Sequence, residues 1–213
     1  MSIQELKKKE KETKRNYIME SAKKLFLSRD YDEVSMNSIA KEVGVNKATL
    51  YYYFKNKEAL YFAIVLQGVQ ILVKMAKDEV KNGKTGYEKI LLYGNAMNKF
   101  SIEYPGCLRL LYAPQSSKFD IDNITSSEEY KEVMGLLKEL MVIMRDSIQL
   151  GVDDGTIRED VNPMEAAVLM SLISQNMSNM SCLYKDMLQS EGISEQKFAM
   201  DVKGFIRYML KKN

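Results

Sequence analysis

The stretch NKATLYYYFKNK, from Asn46 to Lys57, concentrates side chains that can bind a nucleic acid. Its three consecutive tyrosines follow Thr49, and lysines at positions 47 and 57 add positive charge near both ends. Tyrosine and threonine hydroxyls can bond phosphates, and aromatic rings can touch the methyl group of thymine. This chemistry requires an exposed surface, so we expect some of the tyrosines to face outward.

The rest of the sequence offers few groups for catalysis or metal binding. Histidine is absent from the 213 residues, which excludes a His-based triad, a His general base and a His metal ligand. Cys107 and Cys182 are far apart and match neither a disulfide framework nor a metal site, so we interpret them as core residues in a reducing compartment. No GxGxxG or GxxxxGK[ST] motif occurs. We expect a protein without cofactor or metal that is not an enzyme.

Helical geometry sorts the aromatic side chains of this stretch into two faces. In a helix over about residues 47–54, successive side chains point about 100° apart. If Leu50 and Phe54 form a core pair, the side chains opposite them face outward. Contiguous exposed aromatic surface usually marks a binding site. The outward face is then Ala48, Thr49 and Tyr52, flanked by Tyr51 and Tyr53, although the two flanking rings could instead pack against neighbouring helices.

A second short helix is predicted just before this one. Ser35 can cap a helix over MNSIAKEV, in which Ile39, Ala40 and Val43 point inward. Gly44 ends it, because glycine most easily adopts the left-handed conformation of a sharp turn. Two short helices joined in this way, over about residues 35–54, form the helix-turn-helix pattern, whose second helix enters the DNA major groove. Short helix pairs also occur in ordinary bundles, so the pattern alone does not decide the function.

The remaining sequence predicts an all-α fold of about nine helices. Proline and glycine number only 3 and 11, and apolar spacing is helical nearly throughout. One helix is expected from Pro163 to about Leu188, and residues 113–127 are expected to form a loop. No uninterrupted apolar run approaches the ~20 residues of a membrane helix, so we expect a cytoplasmic protein without a membrane partner. Further helices are expected to begin near Asn56, Gly86, Pro105, Ser127 and Ser194.

Positive charge is concentrated near the N-terminus. Residues 1–57 contain 13 Lys and Arg against 8 Asp and Glu, a net +5, and the other residues contain 18 against 21, a net −3. This asymmetry favours an anionic partner for the first part alone. The lysine-rich arm KKKEKETKR, residues 7–15, could add salt-dependent phosphate contacts. Alternatively, it is a frayed and solvated helix extension.

The segments NYIMESAKKLFLSRDYDEVSM and SMNSIAKEVGVNKATLYYYFKNKEAL resemble the DNA-binding signature of TetR-type transcriptional repressors. The resemblance covers about residues 14–62, and GVDDGTIREDVNPMEAA is similar to the connection before the dimer helices of that family. It implies a DNA-binding domain over residues 1–56 and a ligand-binding and dimerisation domain over residues 57–213. It also implies a homodimeric repressor that a small-molecule effector releases from a palindromic operator in double-stranded DNA.

By position, the resemblance implies DNA contacts from both helices of the motif. Ser35 caps the first helix of the motif, which is the second helix of the chain, and touches a phosphate. Lys57, at the start of the fourth helix of the chain, pairs with a phosphate. The recognition helix contains no arginine, so the commonest guanine contact is available only through Lys47. The expected contacts are Ser35, Asn37, Asn46, Lys47, Ala48, Thr49, Tyr51, Tyr52, Tyr53 and Lys57.

The resemblance also places a ligand pocket among the later helices. Ten of the 15 methionines lie from Met134 onward, and methionine suits both adaptable pockets and ordinary cores. Few charges are expected there, which favours a mainly apolar ligand. The candidate pocket residues are Tyr93, Met97, Phe100, Tyr104, Leu108, Tyr112, Met134, Leu137, Met141 and Met177.

A dimer interface is expected on the last two predicted helices. Small residues there are spaced by 4, 3, 4 and 3 positions, which places them on one stripe of a helix. Together with apolar residues of the last helix, they could form a four-helix interface, and a solvent-facing serine stripe is the alternative. The candidates are Ala167, Ser171, Ser174, Ser178, Ser181, Phe198, Val202, Phe205 and Met209.

Two other functions remain open at this point. An architectural DNA binder would bind any duplex with uniform affinity and would select no palindrome. A helical enzyme would have to act through carboxylates, since histidines, paired cysteines and phosphate loops are missing.

Overall fold

The computed structural model describes residues 2–112, 127–178 and 180–212, and these residues confirm the predicted all-α fold. A short 3-10 helix at Tyr31–Glu33 follows the first α-helix, and Ile157 and Lys211 form an isolated antiparallel bridge. Most of the loop predicted over residues 113–127 lies outside the described residues. The α-helices in the described residues are α1 Ile3–Ser28, α2 Met36–Val43, α3 Lys47–Tyr53, α4 Lys57–Val80, α5 Gly86–Glu103, α6 Pro105–Tyr112, α7 Glu128–Asp153, α8 Pro163–Ser178, α9 Cys182–Ser190 and α10 Glu195–Leu210.

The chain divides into two compact units. The first comprises Met1–Ile71 and Tyr104–Leu136, and the second comprises Leu72–Glu103 and Leu137–Asn213. Helices α4 and α7 therefore contribute residues to both units. These two units are defined by contacts between residues. The boundary expected at residue 56 separates a DNA-binding part from a ligand-binding part, and it stays a prediction.

The core of the first unit holds the short helices in place. Ile18, Ala22 and Phe26 are the buried face of α1, while Ile39 of α2 and Leu50 of α3 are fully buried. Aromatic rings extend this core: neighbouring ring centroids lie 5.0 to 5.9 Å apart, the range of favourable aromatic pairs. The rings belong to Phe26, Tyr31, Tyr61, Phe62 and Tyr130.

Helix α4 is buried on all sides over part of its length. By length and composition it could cross a membrane, but 67% of its most apolar 18-residue stretch is buried inside the protein. Seven consecutive side chains, from Ala59 to Val65, are buried. A helix that is apolar all round is expected in a core, and α4 has that role here.

Several helix starts predicted from the sequence are confirmed by their capping hydrogen bonds. The Asn56 side chain accepts from the N–H of Ala59 at 2.8 Å, at the start of α4. Ser194 accepts from the N–H of Lys197 at 3.1 Å, at the start of α10. These caps satisfy N–H groups that have no partner within the helix.

In the second unit, the chain after α7 caps the start of α5. The Asp154 carboxylate accepts from the N–H of Gly86 at 2.7 Å, and the Thr156 hydroxyl accepts from the N–H of Tyr87 at 3.3 Å. Desolvation raises the pKa of Asp154, but hydrogen bonds from Thr156 and Gly86 outweigh it and hold this pKa below its ordinary value. A Cβ on Gly86 would lie 1.9 Å from the nitrogen of Gly151, so only glycine fits this approach.

The prediction of a single helix from Pro163 to about Leu188 was wrong. Helix α8 ends at Ser178, and α9 begins at Cys182 after Ser181, whose backbone is extended. The sequence SQNMSNMS at this break is rich in serine and asparagine, whose side chains compete with the helix for backbone hydrogen bonds. The described residues therefore contain ten α-helices instead of about nine.

Candidate nucleic-acid interface

Helices α2 and α3 are joined by a sharp turn whose geometry follows from local sequence. The hydroxyl of Ser35 accepts from the N–H of Ser38 at 3.1 Å, while the hydroxyl of Ser38 accepts from the N–H of Ser35 at 2.9 Å. Gly44 adopts a left-handed φ of 74°, and the N–H of Val45 donates to the carbonyl of Ala40 at 3.0 Å. The predicted cap and turn are thus confirmed, and they match a glycine-terminated helix.

Asn46 begins α3 and also fixes Thr49. Its side-chain oxygen accepts from the N–H of Thr49 at 2.7 Å and from the Thr49 hydroxyl at 2.8 Å. The Thr49 hydroxyl can still accept a hydrogen bond, since donation uses only its proton. These hydrogen bonds therefore hold both side chains in place at the N-terminal end of α3.

The tyrosines of α3 are exposed to different extents. Leu50 and Phe54 are buried, as predicted for the core pair, whereas Tyr52 is 68% exposed and Tyr51 is 44% exposed. Tyr53 is half-buried, and its ring meets the edge of Tyr52 at 5.1 Å. Two large aromatic rings thus face outward from α3, while Leu50 and Phe54 anchor the helix in the core. Contiguous exposed aromatic surface of this kind usually marks a binding site.

Positive charges lie next to the exposed rings. The Lys47 ammonium is 5.7 Å from the centre of the Tyr51 ring, and the Lys11 ammonium is 4.9 Å from the centre of the Tyr52 ring. Sequence reasoning missed Lys11 as a member of this surface. The signal was available, because Lys11 precedes the buried Ile18 by seven residues and so lies on the same face of α1.

Lys57 is placed differently from what its expected role requires. Its ammonium donates to the carbonyl of Tyr31 at 2.9 Å and lies 3.8 Å from the centre of the Tyr31 ring. Burial lowers the pKa of Lys57, against the opposing charges of Glu58 and Asp32. In this arrangement Lys57 stabilises the segment between α1 and α2. Its contact with a phosphate stays a prediction and requires the side chain to rotate outward.

Tyr31 connects the same segment to α4. Its hydroxyl donates to the Glu58 carboxylate at 2.7 Å, and burial together with Glu58 raises the pKa of Tyr31 well above its ordinary value of 10.0. The ring stacks on Phe26 and meets Tyr61 edge-on. This cluster attaches α4 to the core beneath the motif.

All the residues predicted to contact DNA lie in the first unit. Ser35, Asn37 and Ala48 are exposed, in addition to the outward residues of α3 described above. The structure therefore places the predicted contacts on the α2–turn–α3 segment and at the start of α4. Whether each contacts DNA stays a prediction.

The predicted ligand-binding residues are distributed over both units. Tyr93, Phe100 and Leu108 are buried, and the other seven are half-buried. Burial raises the pKa of Tyr112. Tyr104, Leu108, Tyr112 and Met134 belong to the first unit, and Tyr93, Met97, Phe100, Leu137, Met141 and Met177 belong to the second.

The predicted stripe of small residues does not form a continuous helical face. Ala167 is only 1% exposed, so it packs within its own chain, and Ser181 lies beyond the end of α8, where it precedes α9. Ser178 is the last residue of α8, while Ser171 is exposed and Ser174 is half-buried. The stripe ends at Ser178 because the prediction assumed one helix through residue 188, and whether its members form a dimer interface stays a prediction.

The apolar part of the expected interface is at the surface. Phe205 and Met209 of α10 are exposed, and Phe198 and Val202 are half-buried. Other large apolar side chains of the second unit are exposed as well, which is unusual for surfaces that stay in water. On α8 these are Met164, Val168, Leu169 and Leu172, on α9 Leu183, Tyr184 and Met187, and on α10 Met200 and Tyr208.

Within the described ranges, no group of three or more Cys, Asp or Glu residues could hold a metal ion. Cys107 and Cys182 are free thiols, but Cys107 is half-buried and Cys182 is exposed, so the interpretation of both as core residues was wrong.

Comparison with known proteins shows that the N-terminal helices match a family of regulatory proteins. Residues 18–64 match the family model described as bacterial regulatory proteins of the tetR family. An HTH-type transcriptional regulator of Staphylococcus aureus (strain MRSA252) is 29% identical over 106 residues, which are 50% of this chain and 57% of that protein. The chain thus spans little more than half the length of the curated relatives that it matches.

Solved structures share the fold over most of the chain. FadR from Bacillus subtilis in complex with stearoyl-CoA has a TM-score of 0.70 at 16% identity, covering 91% of this chain and 97% of that one. AibR in complex with isovaleryl coenzyme A and operator DNA has a TM-score of 0.65 at 19% identity, covering 79% and 87% of the two chains.

Proposed function

Since the chain is a TetR-type regulator, we propose that it is a dimeric, sequence-specific DNA-binding protein of the cytoplasm that represses transcription. A small, mainly apolar ligand then releases it from a palindromic operator. We propose no enzymatic activity for it.

The observation that supports DNA binding is the outward face of α3. Tyr51 and Tyr52 are exposed on a helix whose Leu50 is buried beneath them, and Lys11 and Lys47 lie next to the two rings. Hydroxyl groups and cations suit phosphates, and rings suit the apolar methyl group of thymine. AibR, which shares the fold, was solved with operator DNA.

Selection of bound sequences from random duplex DNA tests this proposal. A sequence-specific dimer selects a roughly palindromic site whose half-sites lie about 34–36 Å apart, one turn of the duplex. An architectural binder enriches no sequence. If no sequence is enriched, the proposal is wrong and the protein binds DNA non-specifically.

Tyr52→Ala tests the assignment of the DNA-facing surface. We expect its affinity for the selected operator to fall at least about fivefold, because removing one base or backbone interaction costs about 1–3 kcal/mol. Tyr17→Ala is the matched control, since Tyr17 is 54% exposed on α1 and points away from Lys11, at about 120° around the helix axis. Unchanged operator affinity of the Tyr52 variant would show that α3 does not read DNA through this face.

The exposed apolar side chains of α8 and α10 support a homodimer. Monomeric proteins rarely leave many large apolar side chains in water, and a second copy of the chain can cover them. Dimerisation also supplies two recognition helices for one palindrome.

Ligand control is supported by the chemistry of the residues assigned to the pocket. They are apolar or aromatic, and several are methionines, whose side chains adapt to different shapes. Among proteins that share the fold, FadR was solved with stearoyl-CoA and AibR with isovaleryl coenzyme A. A ligand acts only through a difference in its affinity for the DNA-bound and free states.

Titration of the operator complex with acyl-CoAs of short and long chains tests ligand control. We expect one chain length to weaken operator affinity and CoA alone to leave it unchanged. If no acyl-CoA and no free fatty acid shifts the affinity, this class of ligand is excluded.

A further inference from the structure

We propose that the N-terminal turns of α1 form a second DNA-binding surface, which contacts the phosphate backbone next to the site of α3. The proposal rests on the proposed function, because it assigns one duplex to both surfaces. It concerns a different part of the chain from the helix-turn-helix motif. We call its cationic side chains the basic stripe, which comprises Lys7, Lys8, Lys11, Lys14 and Arg15.

The arm that carries the basic stripe is a capped helix. Helix α1 begins at Ile3, where the hydroxyl of Ser2 accepts from the N–H of Glu5 at 3.2 Å and the Glu5 carboxylate accepts from the N–H of Ser2 at 2.6 Å. This capping box satisfies N–H groups at the helix start, and the Glu5 charge complements the helix dipole. The structure therefore favours a helical extension over a frayed one.

The arm extends beyond the core of the first unit. The first buried side chain of α1 is that of Ile18, so residues 3–17 provide about 22 Å of helix without a buried side chain. An isolated helix of this length is marginally stable in water. A partner that contacts the arm would therefore stabilise it.

The basic stripe is a continuation of the core-facing side of α1. At about 100° per residue, every member of the stripe lies within about 60° of Lys11 around the helix axis. The buried Ile18 and Ala22 lie within about 20° of the same direction. The face that is apolar over the core thus becomes cationic where the core ends. The acidic residues Glu5, Glu10 and Glu12 all lie about 100° or more from Lys11.

The basic stripe also meets the outward face of α3. The Lys11 ammonium lies 4.9 Å from the centre of the exposed Tyr52 ring. The guanidinium of Arg15 lies 4.9 Å from the centre of the Phe54 ring, which is buried, so Arg15 marks the point where the stripe reaches the core. Tyr52 is the most exposed of the three tyrosines that α3 carries. Lys11 therefore borders the surface assigned to DNA, and the other lysines of the stripe continue from it along α1.

The charge pattern of the stripe is unfavourable without an anionic partner. Like charges four residues apart, as at Lys7 with Lys11 and Lys11 with Arg15, destabilise an isolated helix by about 0.2–0.5 kcal/mol per pair. In the part of the chain that the structure describes, Arg15 is the stripe member in an ion pair, with Glu129 at 3.8 Å. A DNA backbone offsets this repulsion and releases counterions when lysines bind it. We expect the lysines of the basic stripe to contact phosphates only, because they lie outside the helix assigned to base contacts.

The double variant Lys7→Gln/Lys14→Gln tests the proposal without touching the contact between Lys11 and Tyr52. The matched control is Lys9→Gln/Lys24→Gln, because both lysines are exposed on α1 and lie about 140° or more from Lys11. Both variants remove two positive charges. The affinity of each is measured over a range of salt concentrations, for the operator selected by the wild-type protein and for a scrambled duplex of the same length.

We expect the stripe variant to lower the slope of log affinity against log salt by about 0.9 for each phosphate that the protein no longer neutralises. Both duplexes should weaken by the same factor, and the control should keep the wild-type slope. The proposal is overturned if the two variants have equal slopes, or if only the operator weakens, since that would indicate base contacts. If the wild-type protein binds no duplex above background, the proposed function itself fails, whereas failure of the arm alone leaves Tyr52-dependent operator binding intact.

Discussion

At the residue scale, the sequence identified side chains whose environment is local and missed those whose environment depends on distant parts of the chain. Leu50 and Phe54 could be assigned to the core from helical spacing alone, because their burial follows from the face of one helix. Lys57 could not be assigned in this way. Its ammonium meets the carbonyl of Tyr31, which is 26 positions away in the sequence, and only the folded core brings the two together.

The Tyr31→Phe variant tests the cluster that connects the segment after α1 to α4. It removes the hydrogen bond from the Tyr31 hydroxyl to the Glu58 carboxylate and leaves the ring contacts with Phe26 and Tyr61. We expect it to lower the free energy of unfolding at neutral pH by about 1.5 kcal/mol, the lower end for a bond to a charged group because Glu58 is partly solvated. Urea unfolding followed by circular dichroism measures this change.

The same variant should flatten the alkaline decline in stability. The pKa of Tyr31 is raised in the folded state, so its contribution is complete below the ordinary pKa of 10.0 and is lost as the pH rises above it. Above that pH the unfolded chain releases the Tyr31 proton while the folded chain retains it. The wild-type free energy of unfolding should therefore fall more steeply above about pH 10 than that of Tyr31→Phe. Parallel curves would show that Tyr31 ionises equally in both states.

At the scale of helices, the ends that carry their own capping chemistry were predictable. Ser35, Gly44 and Asn56 specify helix boundaries through bonds and dihedral angles within a few residues. The break between α8 and α9 carries no glycine or proline and was missed. The sequence left the state of the N-terminal arm open for a related reason, because a charged segment without a buried face gives no periodic apolar signal.

Gly44→Ala and Gly135→Ala should change stability in opposite directions. A Cβ would meet no atom within 4 Å at either position, so backbone conformation decides the outcome. Gly44 has a φ of 74°, and an L-residue in that conformation costs about 1–2 kcal/mol. Gly135 lies inside α7, where alanine is favoured by about 0.5–1 kcal/mol. Urea midpoints at one protein concentration measure both changes, and a stabilised Gly44→Ala would mean that the turn can relax into a right-handed conformation.

At the scale of the whole molecule, α3 in the first unit and helices α8 and α10 in the second unit carry exposed apolar or aromatic side chains for different reasons. The exposed rings of α3 are bordered by lysines, which suits a polyanion. The exposed side chains of α8 and α10 are mostly aliphatic or aromatic, which suits an apolar partner such as the same surface of a second copy. The fold class could be predicted from periodicity, but the face of α8 that reaches the surface could not, because the burial of Ala167 depends on packing within the second unit.

Phe205→Glu tests that this surface joins two copies of the chain, and Ile102→Glu is its matched control. Phe205 is 67% exposed on α10 and Ile102 is 70% exposed on α5, so a carboxylate at either position is solvated in the single chain. In a dimer formed through α10, the new carboxylate is buried without a partner, at a cost of several kcal/mol. We therefore expect Phe205→Glu to weaken dimerisation at least ~100-fold, as measured by sedimentation velocity, while Ile102→Glu stays dimeric.

A monomer presents one recognition helix to a two-part operator, so the affinity of Phe205→Glu for the operator should fall together with its dimerisation. A dimeric Phe205→Glu that keeps full operator affinity would place the interface on another surface of the chain.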